Sequence, residues 1–64
     1  MASKAPRVGD VVRIPVEMNC AGIVERCEGI RLYVRLFAVP FEGHSGLSYV
    51  RRDSVEVLSY ANLR

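Results

Sequence analysis

The sequence predicts an all-β domain in which five short strands close into a small barrel, with one 3-10 turn before the last strand. Three observations carry that expectation. Apolar residues recur at period two rather than at helical spacing, most clearly where Ile30, Leu32, Val34 and Leu36 alternate with Arg31, Tyr33, Arg35 and Phe37. Turn signals built on glycine separate the apolar runs. Sixty-four residues are also too few for two flat packed sheets, so the strands must bend around one core.

Gly9-Asp10 opens a first strand over 11–16, where β-branched residues place Val12, Ile14 and Val16 on one face. Pro15 lacks an N–H for the ladder, so it belongs on an edge or at a strand end. A short loop over 17–20 leads into a second strand at 21–27. Glu28-Gly29 then turns the chain back into a third strand at 30–39, a β-hairpin with a tight glycine turn. In that strand Ile30, Leu32, Val34 and Leu36 fill the core, while Arg31, Tyr33, Arg35 and Phe37 face the other way. Two glycines and a proline make 40–46 a loop, and a fourth strand follows at 47–50. Arg52-Asp53-Ser54 suits the 3-10 turn before a last strand at 55–58, although 57–63 also fits a helical turn. The domain is accordingly expected over 8–58, with 1–7 as a flexible arm and 59–64 as a tail.

A chain of this size buries only about 60% of the surface exposed by its unfolded form. Half of the residues are nevertheless apolar and the mean hydropathy is positive, which predicts that some apolar side chains face a partner. Domains below roughly 70–80 residues usually draw stability from a disulfide, a metal or oligomerisation. Residues 1–7 lack the apolar segment of a secretory signal, which predicts a cytoplasmic protein with Cys20 and Cys27 reduced and unpaired. The cysteine spacing is not Cys-x-x-Cys and His44 is the single histidine, so neither a metal nor another cofactor is expected. Oligomerisation remains, and a homo-oligomer is the expected state. No apolar run approaches the roughly 20 residues that span a bilayer, so no membrane partner is expected. A net charge of +2 and a pI near 8.8 fall short of the concentrated basic surface of most nucleic-acid binders.

No motif identifies a reaction. His44, between Gly43 and Ser45, is the natural candidate for a base, with Ser45 or Ser48 as nucleophile, yet no third group orients them. A solvated loop histidine is the simpler reading. Glu25 and Glu28 flank a hairpin turn, where carboxylates face water. The alternation Arg31, Tyr33, Arg35, Phe37 is more informative. Arginines interleaved with aromatics can stack bases and neutralise phosphates, and Arg13, Arg26, Arg51 and Arg52 would extend such a surface. The same residue types are enriched at protein interfaces, and cross-strand pairs among them can also simply cover a sheet face. Phe41 and Tyr49, near Val39 and Pro40, add apolar bulk beside the loop, where a peptide or a subunit can dock. The candidate binding surface is therefore Arg31, Tyr33, Arg35, Phe37, Phe41 and Tyr49. The expected role is a non-catalytic module acting through protein–protein contacts and self-assembly; a larger protein is a further partner, and nucleic acid is the alternative.

The succession Gly9-Asp10-Val11-Val12-Arg13, Gly22-Ile23-Val24-Glu25-Arg26, a hairpin at Gly29, and Arg52-Asp53-Ser54-Val55-Glu56-Val57-Leu58 resembles the SH3-like small barrels of bacteria and plastids. The resemblance implies a five-stranded SH3-like barrel. Such barrels include that of the nitrile hydratase β-subunit, whose hairpin is similar to 22–29, and accessory subunits that dock onto other proteins. A docking role is what the resemblance implies. Type II dihydrofolate reductase, a tetramer of such barrels with its active site in the pore between subunits, has a similar Gly-Asp strand start. Its pore strand, Val-Gln-Ile-Tyr, falls near Leu47-Ser48-Tyr49, where Tyr49 alone matches. The pore glutamine is absent and Ile14 stands where the lysine is expected, so this resemblance implies a mode of assembly rather than the reaction. An oligomeric-pore enzyme is the third reading.

Overall fold

Period-two alternation builds five antiparallel strands in the structure, a computed structural model that describes residues 5–61. The strands are β1 (Val11–Ile14), β2 (Cys20–Glu28), β3 (Arg31–Leu36), β4 (Leu47–Arg51) and β5 (Glu56–Ser59). They lie in one sheet in the order β4-β3-β2-β1-β5, so β4 and β5 are its edges. Short 3-10 turns occupy Pro15–Glu17 and Arg52–Ser54. The second is the turn expected before the last strand. The first was not expected, and it has a local cause: Pro15 ends the β1 ladder and pre-sets the turn. Met18 and Asn19 then take the left-handed conformation, with φ of 58° and 57°, to reverse the chain into β2.

Two apolar residues expected in the core lie outside it as a result. Val16 rides on the first 3-10 turn and is 72% exposed, and Ile30 sits in the β2–β3 turn and is 57% exposed. Period two holds only while the strand does. β3 likewise ends at Leu36 rather than at residue 39, because the chain bends away at Phe37 after the Phe37 N–H bonds the Ala21 carbonyl at 3.0 Å. Residues 56–59 form the last strand rather than a helical turn, and the end of the 57–63 segment lies outside the described residues.

The core consists of Val12, Ile14, Val24, Leu32, Val34, Leu36 and Val50, with Cys20, Val55 and Val57 packed against it. β2 crosses its centre, with Gly22 opposite both Val12 of β1 and Leu36 of β3. A Cβ at Gly22 would stand 2.9 Å from the Leu36 Cα and closer still to the Arg35 carbonyl oxygen. Only glycine lets the two backbones meet there. Just beyond, the register slips between Val24 and Arg26, which leaves Glu25 as an extra residue. Strict alternation would have sent Arg26 to the face of Gly22 and Val24; the bulge keeps both Glu25 and Arg26 on the exposed side. Cys20 and Cys27 are free thiols near opposite ends of β2, separated by about 20 Å of extended strand.

Asp10 is buried at 3% exposure, and each of its polar groups is used. Its carboxylate accepts the Arg7 N–H at 2.9 Å and the Ala61 N–H at 2.8 Å. Its backbone carbonyl accepts the Val24 N–H at 2.9 Å, and the neighbouring Gly9 N–H donates to the Val24 carbonyl at 2.8 Å. A charged group taken out of water is tolerated when it is this fully bonded.

Replacing Gly22 with Ala is expected to destabilise the domain by about 3 kcal/mol or more, a large fraction of the stability of so small a domain. Gly29, at φ +59° with open space around it, is the control: Gly29→Ala should cost only about 1 kcal/mol of left-handed strain. Urea unfolding followed by circular dichroism separates the two.

Candidate functional site

The structure divides the six candidate residues between two places. Arg31, Tyr33, Arg35 and Tyr49 share the outer face of the sheet, whereas Phe37 and Phe41 belong to the 37–46 loop at one end of it.

On the outer face Tyr33 stands directly across from Tyr49, with ring centroids 4.5 Å apart and planes tilted by 35°. The Arg26 guanidinium lies over Tyr33 at 5.7 Å and that of Arg31 over Tyr49 at 5.3 Å. Arg26, Tyr33, Tyr49 and Arg31 thus form a ladder across this face, in which Tyr49 stays half exposed. The neighbouring charges are paired as well. Arg35 holds Glu25 through two hydrogen bonds, Arg51 holds Asp53 at 3.1 and 3.0 Å, Arg26 meets Glu28 at 2.6 Å, and Arg13 meets Glu56. The hydrogen bonds from Arg51, reinforced by its charge, hold the Asp53 carboxyl below its ordinary value. Loss of surrounding water, and then the Glu28 carboxylate, push the Tyr33 phenol up. Arg31, across the strands from Arg51, has no carboxylate partner among the described residues.

The loop end has a different character. His44 is nearly buried, and its Nδ1 accepts the Gly46 N–H at 2.8 Å, which leaves the proton of the neutral ring on Nε2. Nε2 donates to Glu17 Oε1 at 3.2 Å, and the buried Ser48 hydroxyl donates to the same oxygen at 3.1 Å. The Phe41 ring meets the imidazole edge-on at 5.2 Å. One carboxylate therefore ties the first 3-10 turn, the 37–46 loop and β4 together. The carboxylate lies between hydroxyl and imidazole, so Ser48 faces an acceptor other than His44, and the arrangement is not a nucleophile activated by a base. Ser45 spends its hydroxyl on the Leu47 backbone.

The two connections joined by this knot also carry exposed apolar side chains. Of the ten large apolar side chains exposed among the described residues, Val16, Met18, Phe37, Val39 and Phe41 all lie on these two connections. Met18 is 69% exposed and also left-handed, two features unfavourable for a methionine. Sequence reasoning found Phe37 and Phe41 but missed Val16, Glu17 and Met18. Pro15 was the available signal, since a strand that ends there puts Val16 on a turn. Nothing local joins Glu17 to a histidine 27 positions away.

An open hollow of about 490 Å³ lies elsewhere, lined by Pro6, Arg52, Asp53, Val55, Val57 and Tyr60, and contains none of the candidate residues. Among the described residues no group of three His, Cys, Asp or Glu side chains is placed to hold a metal, and no helix is long and apolar enough to cross a membrane. No family model, curated protein or solved structure matches the chain.

Glu17→Ala is expected to leave the Ser48 hydroxyl and the His44 ring without their shared acceptor, costing about 1–2 kcal/mol. Amide exchange should rise in residues 37–46 while the β1–β2 amides stay protected, a pattern that hydrogen-exchange NMR reads directly.

Proposed function

We propose that this chain is a non-catalytic binding module, built as an SH3-like small barrel, which acts through protein–protein contacts and self-assembly. The observation that carries the proposal is the loop end, where Val16, Met18, Phe37, Val39 and Phe41 are left in water on two connections held rigid by Glu17, His44 and Ser48. Exposed apolar side chains grouped at one end of a sheet mark contact surfaces, and a fixed backbone lowers the entropy lost on docking. The barrel assignment draws support from β1 pairing with both β2 and β5, from the 3-10 turn before β5, and from the glycine and bulge that bend β2. Self-assembly draws support from a core of seven buried apolar residues among the described residues of a chain that is half apolar.

Nucleic acid is a second reading, favoured by one observation: Arg31 stacks on Tyr49 without a carboxylate partner among the described residues. It is the weaker reading, because Arg13, Arg26, Arg35 and Arg51 already meet carboxylates and would have to exchange them for phosphates.

Light scattering should give a mass above that of the monomer, and Phe37→Ser combined with Phe41→Ser should lower it while the circular dichroism spectrum is retained. A monomer mass for the unsubstituted chain removes the self-assembly reading. Leu32→Ala or Val34→Ala, in contrast, should cost about 2–4 kcal/mol and unfold the domain. If the outer face binds single strands, Arg31→Ala should reduce the salt dependence of that binding by about one unit. Retention of the full slope excludes Arg31 as a phosphate contact.

A further inference from the structure

The charges at the loop end narrow down what docks there. Residues 15–20 and 37–46 contain two carboxylates, Glu17 and Glu42, and no lysine or arginine, although the whole chain carries a net charge of +2. Elsewhere among the described residues each carboxylate is matched. Glu25, Glu28, Asp53 and Glu56 meet arginines, and Asp10 accepts two backbone N–H groups. Glu42 has no hydrogen-bond or ion-pair partner among those residues, and Glu17 uses only Oε1, which Ser48 and His44 share. Glu17 Oε2 is thus a carboxylate oxygen fixed in place by two donors to its neighbour, on a side chain 36% exposed that lies between the exposed Val16 and Met18 in the sequence.

We infer that the loop end receives a short amphipathic protein segment whose apolar side chains cover Val16, Met18, Phe37, Val39 and Phe41 while a lysine or arginine meets Glu17. This inference rests on the docking reading above and specifies the partner's chemistry. A wholly apolar occupant would take the two carboxylates out of water with nothing to pair them, which costs more than the apolar contact returns. Anionic lipid headgroups and nucleic acid phosphates meet like charge here. A two-fold contact of this end with its own copy also sets Glu17 and Glu42 against the same two carboxylates, so self-assembly through this end is head-to-tail, with a different segment as the occupant. The paired arginines of the sheet face do not neutralise this end, because each is already held by its own acid.

The probe is a synthetic peptide of leucine and lysine at helical spacing, compared with its leucine and glutamate counterpart, each titrated into the full chain while backbone amide NMR shifts are followed. Net charge alone favours the acidic peptide, so the two expectations oppose one another. The inference expects the lysine peptide to move the amides of residues 15–20 and 37–46. Glu17→Gln with Glu42→Gln should weaken that binding by about fivefold, as expected for partly exposed ion pairs, and Phe37→Ser with Phe41→Ser should abolish it. Because the side-chain carbonyl introduced by Glu17→Gln still accepts hydrogen bonds from Ser48 and His44, unchanged loop amides in the unbound double variant establish that the loss is one of charge. If the acidic peptide binds the same residues as well as the basic one, or the doubly substituted chain binds unchanged, the charge rule is overturned and docking survives. If neither peptide moves these amides, the docking reading itself falls.

Discussion

At Gly22 the main chains of β2 and β3 come so near that no side chain fits between them, and the arrangement of the remaining parts follows from that contact. The close approach lets β2 serve both neighbours at once, with Val12 on one side and Leu36 on the other. It also brings the core-facing side chains of three strands within reach of one another, which a chain with so few large residues needs. The bulge at Glu25 completes the bend and resets the alternation, so that a strand with a glycine and a valine on its inner face can continue without burying Arg26. A sheet this small holds a core only because it is curved at these two places.

The two surfaces separated by this curvature differ in how far they satisfy themselves. On the outer face, tyrosines stack on each other, guanidiniums cover the rings, and carboxylates take most of the remaining guanidinium charge. Such a surface has few unspent charges to offer a partner, Arg31 being the exception among its arginines in the described residues. The loop end is the reverse case. Its polar groups are spent on fixing the backbone, and its apolar groups are left outside. Rigidity combined with exposed apolar area is what a contact surface requires, and a composition that is half apolar is most visibly accounted for here.

Much of the fold was legible because β3 alternates without interruption, and Leu32, Val34 and Leu36 are buried as period two demands. The 3-10 turn at Arg52–Ser54 was legible too, since its residues favour turns and a β-branched strand follows. Val16 and Ile30 were misplaced for a common reason: periodicity was extended past the residue where the backbone stops being a strand. Proline at 15 and glycine at 29 marked those limits, and a proline or glycine outranks the apolar character of its neighbour. The candidate site was legible only in part. Phe37 and Phe41 stood out as large apolar residues beside a loop, whereas the Glu17 knot depends on contacts across 27 and 31 positions. The division of six candidate residues into two surfaces was likewise invisible, because Phe37 leaves the plane of the sheet one residue after β3 ends.

The carboxylate of Asp10 receives one amide from Arg7 and another from Ala61, so the two points at which the chain enters and leaves the domain are held by a single side chain. Entry and exit lie side by side, within roughly the length of two hydrogen bonds and a carboxyl group. A unit of this geometry can be spliced into a surface loop of a host protein, or have its ends joined and new ends opened elsewhere, without pulling the sheet apart. It can also be strung in tandem, each copy occupying little length along the array.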